Sequence, residues 1–181
     1  SLFMADSEMS DRFLFLYSDI LFDPSILEKL LKSRADISIV VDRACNDHER
    51  TQKEQRTKKP DLVVTPQPAQ TGYRYLPTAE AIPLARIGRQ LRLDEANGEF
   101  VGMAMFSAAG AQTLRTVYQQ AQARDFPRGF HEAGSLETAA FTDMLQELVD
   151  QQYEVACVDI YKGWLEIDTI EDYQRAWAKI N

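Results

Sequence analysis

Apolar and polar positions alternate along this chain in short blocks of two kinds. Phe13 to Tyr17 is a nearly continuous apolar and aromatic run closed by Ser18 and Asp19, which predicts a strand buried on both faces. Residues 24–32 follow with Pro24 where a first helical turn tolerates it and with Ile26, Leu27, Leu30 and Leu31 on one stripe, a helix that needs a sheet to cover. Ile37 to Val41 supplies the next strand, and this strand, helix, strand order predicts a right-handed parallel crossover.

The pattern is then interrupted. From Asp42 onward the chain is Asp, Glu, Arg, Lys, Gln and Asn with a single His48 and no apolar periodicity, so residues 43–59 are expected to form a mobile charged loop. Asp61 to Thr65 predicts a strand. Pro66, Pro68, Gly72 and Pro77 then punctuate an irregular excursion over residues 66–98, with a short strand at Leu84 to Ile87. Glu99 to Phe106 predicts a strand entered from a turn at Asn97-Gly98, and Ala108 to Arg124, rich in Ala, Gln and Leu, a helix. After a break at Pro127 to Gly129, Ser135 is placed to cap a helix running to Asp150. Val155 to Ile160 is a further buried strand, Trp164 to Asp168 a short strand or turn, and Thr169 the cap of a last helix through Ile180. The alternation is that of an α/β chain.

Composition narrows the function classes. With 181 residues, 45% of them hydrophobic, the chain suits one core and a single domain over residues 1–181. Lys+Arg 20 against Asp+Glu 28 gives a net charge of −8, which argues against a nucleic-acid polymer as partner. No apolar run reaches the roughly 20 residues of a membrane span, and no basic segment leads into an apolar one as in a secretory signal. A soluble, cytoplasmic protein without a membrane partner is expected. Cys45 and Cys157 lie far apart with no ligand spacing, so free thiols in a reducing compartment are expected.

Two places carry candidate chemistry. Asp19 stands just beyond the carboxyl end of the first strand, where open α/β sheets hold their ligands; starting a turn or capping the helix at Pro24 is the alternative. An aspartyl-nucleophile phosphatase would show a second Asp two residues on, and Leu21 stands there. Glu166 and Asp168 lie on one face if extended, beside the Thr169 cap. Carboxylates brought together from both ends of a sheet suit a hard divalent cation such as Mg2+. The alternative makes Thr169-x-x-Asp172 a capping box and Asp168 a loop acid.

Taken together, Phe13 to Asp23, Asn97 to Gly102, Phe141-Thr142-Asp143 and Gly163 to Asp172 resemble sugar-phosphate and phosphocholine-type nucleotidyltransferases. Within that superfamily the chain is similar to cytidylyltransferase-like domains fused to, or encoded beside, phosphoenolpyruvate mutase in phosphonate pathways. The resemblance implies a mostly parallel mixed sheet with helices on both faces, the carboxyl-terminal portion of a nucleotide-diphospho-sugar-transferase-like, Rossmann-like fold. It implies catalytic and Mg2+-holding roles for Asp19 and Asp168. Glu99 and Gly102 would lie along the acceptor side of the cleft, with Thr142 and Asp143 behind it in either a site or a structural role. Its partners would be a nucleoside triphosphate, a small phosphorylated or phosphonylated acceptor and a fused or neighbouring phosphoenolpyruvate mutase.

The glycine-rich loop and Lys with which such enzymes open have no counterpart here. The resemblance then implies that the upstream half of the nucleotide site lies outside this chain, that the chain alone does not transfer a nucleotidyl group, and that an exposed sheet edge allows homo-oligomers. The rival is a non-catalytic binding or regulatory domain. His131 and Glu132 fall where the acceptor loop would be, against a plain solvent-exposed loop. Trp164 either shapes the acceptor pocket or covers the sheet, and with Phe130 could offer an aromatic face to an acceptor ammonium paired with Glu99. Lys53, Arg56, Lys58 and Lys59 could meet phosphate, but the interleaved Asp47, Glu49 and Glu54 favour a solvated face.

Overall fold

Among the described residues two strands are buried at every position, Ile37–Asp42 and Gly98–Phe106, and the sheet is assembled around them. The computed structural model describes residues 2–44, 58–66 and 82–180. After a 3₁₀ helix at Leu2–Glu8 come β1 (Phe13–Leu16), β2 (Ile20–Phe22), α1 (Pro24–Leu31), β3 (Ile37–Asp42), β4 (Leu62–Val64), β5 (Ile82–Pro83) and β6 (Arg86–Gly88). Then follow β7 (Gly98–Phe106), α2 (Ala108–Gln122), α3 (Phe141–Asp150), β8 (Ala156–Ile160), β9 (Trp164–Glu166) and α4 (Ile170–Ile180).

The main sheet has the order β5-β8-β3-β7-β4-β6, with β1 also on β7, and β2 pairs with β9 in a separate ribbon. β3 and β8 are parallel, and the other described pairings are antiparallel. The sheet is thus mixed, as expected, but among the described residues antiparallel pairings outnumber the one parallel pairing where a mostly parallel sheet was expected, because β7 inserts between β1 and β3. Phe106 of β7 faces both Phe13 of β1 and Ile37 of β3, so β1 and β3 flank β7. Both run antiparallel to it and therefore parallel to each other. The crossover through α1 does join parallel strands, but β7 lies between them.

Alternation along the central strands divides the core into two layers. Ile37, Ile39, Val41, Phe100, Ala104 and Phe106 pack with Leu114 and Val117 of α2 and Leu145 and Leu148 of α3. Val40, Val101, Met103 and Met105 pack on the other face with Ile26 and Leu30 of α1 and with Trp164. Helices therefore cover both faces. Among the described residues no helix is long and apolar enough to cross a membrane.

Three expected boundaries change. The helix placed over residues 135–150 is a 3₁₀ turn at Leu136–Thr138 followed by α3, because Ala139 is extended and Asp143, not Ser135, accepts the Ala140 N–H at 2.7 Å. The charged loop begins later than residue 43: Arg43 is 4% exposed, its Nη2 2.7 Å from Asp159 Oδ1 and its Nη1 donating to Asn97 O at 2.9 Å and Asn97 Oδ1 at 3.1 Å. Asn97 in turn clasps Thr65 through both backbone groups. Residues 45–57, with Cys45, His48, Lys53 and Arg56, and residues 67–81, with Pro68, Gly72 and Pro77, lie outside the described residues. The later part of the expected excursion is ordered into β5 and β6, with Leu84 buried between them.

Gly102 interrupts β7 at a φ of 80°, where the register against β3 shifts between Ile39 and Val41. Its carbonyl accepts the Tyr17 N–H at 2.9 Å, and a Cβ here would stand 2.4 Å from Tyr17 Cδ2. Gly102 thus lies beneath the Tyr17 ring and sets the course of the chain as it leaves β1. Gly102→Ala should cost about 1–3 kcal/mol from backbone strain alone, read as a lowered urea midpoint with an unchanged m-value.

Candidate functional site

The ribbon of β2 and β9 builds the site. Ile20 faces Glu166, Leu21 faces Leu165 and Phe22 faces Trp164, and the Ile167 N–H donates to the Asp19 carbonyl at 2.7 Å, which extends the ladder one rung. Asp19 therefore leaves one strand of the ribbon at the end where Asp168 leaves the other. Carboxylate oxygens of Asp19, Glu166 and Asp168 all lie within 4.8 Å of one another.

Buried polar groups hold this ribbon against the sheet. Asp42, fully buried at the end of β3, accepts the N–H groups of Ala44 at 2.9 Å and Lys162 at 3.0 Å through Oδ1 and the Trp164 indole at 2.8 Å through Oδ2. The turn that it grips contains Lys162 at φ 64° and Gly163 at φ 90°. On the far side Thr169 and Asp172 form a reciprocal cap for α4: Asp172 Oδ2 accepts from Thr169 N at 2.9 Å, from its hydroxyl at 2.7 Å and from Asp168 N at 3.2 Å, while Asp172 N donates to Thr169 Oγ1 at 3.1 Å. Burial pushes the Asp172 carboxyl up, but the hydrogen bonds from Thr169, Arg175 and the Asp168 backbone outweigh it and hold the group below the usual carboxylate range. The capping box given as the alternative for this segment forms, and it fixes the backbone of Asp168.

Lys58 enters this cluster from the segment before β4. Its ammonium is hydrogen-bonded to Asp168 and stands 3.5 Å from Asp19 Oδ2 and 4.0 Å from Glu166 Oε1. The Asp168 hydrogen bond and the three negative charges raise the Lys58 pKa above its ordinary value against a smaller opposing effect of burial. Lys58 is exposed, as the solvated-face reading expects, yet its ammonium meets acids remote from it in sequence. Beside the cluster, the Tyr17 hydroxyl donates to Asp61 Oδ2 at 3.4 Å and Arg89 Nε to Asp61 Oδ1 at 2.8 Å. Burial, then the neighbouring Asp61 charge, pushes the Tyr17 phenol well up, and the field of Glu166 reaches both Tyr17 and Arg89.

The donor set is all oxygen, carboxylate and only partly buried, which matches the ligand preference of Mg2+ and leaves room for waters and phosphate oxygens in its shell. Three carboxylates so close repel unless a cation lies among them, and the position of the Lys58 ammonium shows that their oxygens share a common cation-facing side.

Other expected site residues are engaged elsewhere. Trp164 is 8% exposed and belongs to the core under α1, so it covers the sheet instead of lining a pocket. Phe130, 1% exposed, likewise has no free aromatic face. His131, at φ 53°, has Nε2 2.8 Å from Glu147 Oε2 and Nδ1 3.9 Å from Asp150 Oδ2, surroundings that repel a phosphoryl group. Glu132 accepts the N–H groups of Arg89 at 2.8 Å and Gln90 at 2.9 Å, and its own N–H donates to Asp143 Oδ1 at 2.9 Å. These two residues tie the 129–134 loop to β6 and α3. Glu99 is buried at the start of β7, opposite Asp42 of β3 and Leu62 of β4. Glu166 and Lys58 are the cluster members that the sequence left unassigned. Glu166 had a signal in its spacing from Asp168, whereas Lys58 was hidden among like residues.

No protein-family model and no curated protein matches this sequence. Solved structures do match its fold. The inositol-1-phosphate CTP transferase from T. maritima is similar over 94% of this chain and 55% of its own, at 19% identity and a TM-score of 0.59. A UTP-bound UGPase from Acinetobacter baumannii is similar over 99% and 54%, at 15% identity and a TM-score of 0.62. A UDP-glucose pyrophosphorylase from the same organism is similar over 97% and 53%, at 17% identity and a TM-score of 0.59. At these identities the likeness is one of fold, and it agrees with the Rossmann-like α/β architecture expected. The chain spans about half the length of the structures it matches.

Because the folded Asp172 pKa is depressed, its ionised form stabilises the fold above the unfolded carboxylate pKa of about 3.9, and this contribution disappears as pH falls through the lower folded value. Wild type should therefore be more stable than Asp172→Asn at pH 7, with the difference closing below about pH 4. Urea titrations of both proteins across that range check the sign.

Proposed function

We propose that this chain forms the metal- and acceptor-bearing half of a magnesium-dependent nucleotidyltransferase, which moves a nucleotidyl group from a nucleoside triphosphate to a small phosphate or phosphonate acceptor with release of pyrophosphate. The observation that carries the proposal is the convergence of Asp19, Glu166 and Asp168, from opposite ends of the chain, at one end of the β2–β9 ribbon. Asp19, Glu166 and Asp168 would hold the magnesium, and Mg2+ when bound supplies charge neutralisation for phosphate oxygens.

The protein's own residues set the geometry. Asp42 and Trp164 fix the turn into β9, the Thr169–Asp172 box fixes Asp168, and the Asp19 carbonyl is bonded into the same ribbon. Such pre-set positioning suits phosphoryl chemistry, where alignment and electrostatics carry most of the catalysis. Lys58 and Arg89 are the basic groups of this neighbourhood. The cytidylyl group is the finer assignment; the sequence resemblance supports it, as does a fold relative named as a CTP transferase of inositol 1-phosphate. A phosphonate acceptor and a phosphoenolpyruvate mutase partner rest on the sequence resemblance alone. The reaction is assigned to this half of the fold together with the portion that the chain does not span.

Mn2+ titration followed by electron paramagnetic resonance tests the metal site directly. Wild type should bind in a saturable manner, and Asp168→Asn should bind at least about tenfold more weakly with an unchanged circular-dichroism spectrum. Equal binding by the two proteins would refute the assignment. For a protein that spans the whole fold, pyrophosphate release from CTP should be faster with phosphocholine or 2-aminoethylphosphonate than with glucose 1-phosphate. Metal binding without pyrophosphate release from any nucleoside triphosphate would instead indicate a binding or regulatory domain.

A further inference from the structure

We infer that Lys58 is a built-in counter-ion of the carboxylate cluster, displaced when a divalent cation enters, and that the ammonium so released turns to the phosphate groups that accompany the metal. The inference rests on the metal-site reading of Asp19, Glu166 and Asp168.

Its first ground is where the ammonium stands. Lys58 Nζ is hydrogen-bonded to Asp168 and lies within 4.0 Å of carboxylate oxygens of both other acids. A lysine suits this place: its compact charge carries three donors on a flexible stem and can serve several carboxylates at once. A divalent cation on the same oxygens could not coexist with it there, since like charges a few ångströms apart repel strongly in a partly buried site. Entry of the metal is therefore an exchange of one cation for another.

The second ground is what stays fixed. Lys58 is close in sequence to Asp61, whose side chain is 7% exposed and bonded to Arg89, and whose carbonyl accepts the Phe100 N–H at 2.8 Å. That anchor keeps the backbone beside the site. The Lys58 side chain itself is 52% exposed, so its stem can swing outward without breaking core contacts. The exchange also follows from charge. Among the described residues, three carboxylates gather around this one ammonium. A divalent cation would offset one more negative charge than the ammonium does, and the displaced ammonium would stay close enough to meet an arriving phosphate in a charge-assisted hydrogen bond.

Three measurements on the full chain test this. In Mn2+ titrations Lys58→Met should bind about tenfold more tightly than wild type, because the Lys58 ammonium no longer competes for the carboxylates. Acetic anhydride labelling of wild type, read by mass spectrometry, should show Lys58 becoming several-fold more reactive when Mg2+ is added, with the other lysines unchanged. With Mn2+ saturating, inorganic pyrophosphate should bind Lys58→Met about tenfold more weakly than wild type. Equal or weaker Mn2+ binding by Lys58→Met, alongside a clear loss in Asp168→Asn, would overturn the displacement and leave the metal site standing. Lys58 labelling that ignores Mg2+ would do the same. An absence of Mn2+ binding in both wild type and Lys58→Met would overturn the metal site and this inference together.

Discussion

A carboxylate with no access to water has to be satisfied from within the protein, and Asp42 meets that demand with groups that build the site. Besides the Ala44 N–H, it takes up the Lys162 N–H in the connection from β8 to β9 and the indole of Trp164, the first residue of β9. This interaction ties the connection to the end of β3. With it, β9 is drawn under the sheet, Trp164 is folded into the core below α1, and Glu166, two residues further on, points from a strand whose register is set. The chemistry of the site is thus specified by a residue that belongs to none of it.

The ribbon adds a second level of constraint. A two-stranded β-ribbon alone is marginal in water, yet this one carries all three acids of the cluster. It persists because each end is tied elsewhere: Asp23 N bonds the Gly163 carbonyl at 2.8 Å, Trp164 is anchored by Asp42, and Asp168 is held by the cap of α4. Stability is borrowed from the sheet and from two helix starts, and the carboxylates remain partly open to solvent.

Much of this was legible in the sequence. Asp19 and Asp168 could be placed together because each follows an apolar run, and strands of an α/β chain deliver such residues to one edge; β1 itself, expected to be buried on both faces, instead leaves Leu14 and Leu16 exposed because it packs on the core with one face only. α1, α2 and the Thr169 cap followed from periodicity and capping chemistry, and the mixed sheet was what the resemblance implied. What was hidden depended on partners distant in sequence. Trp164 could equally line a pocket or cover a sheet until its indole was seen to meet Asp42. His131 and Glu132 looked available, but their partners, Glu147 and the backbone of residues 89–90, come from other elements. Lys58 lay in a run of mixed charges whose local pattern is that of a solvated face, and only the tertiary fold distinguishes it from its neighbours. The break before α3 arose because Asp143 holds the Ala140 N–H and starts α3 there, so that Ser135 heads only the short 3₁₀ turn before it.

The buried Arg43 clasp has a bearing on how the protein reaches this state. Its guanidinium is ion-paired with Asp159 and hydrogen-bonded to Asn97, with Thr65 joined through Asn97, so strand ends widely separated in sequence must meet before the charge is neutralised. Contacts of that kind close late, since their loop entropy is spent before they return any stabilisation. The end of the sheet that carries the acids accordingly belongs to the slow, topologically demanding part of folding, and a nascent chain would acquire its hydrophobic layers before it acquires a working electrostatic site.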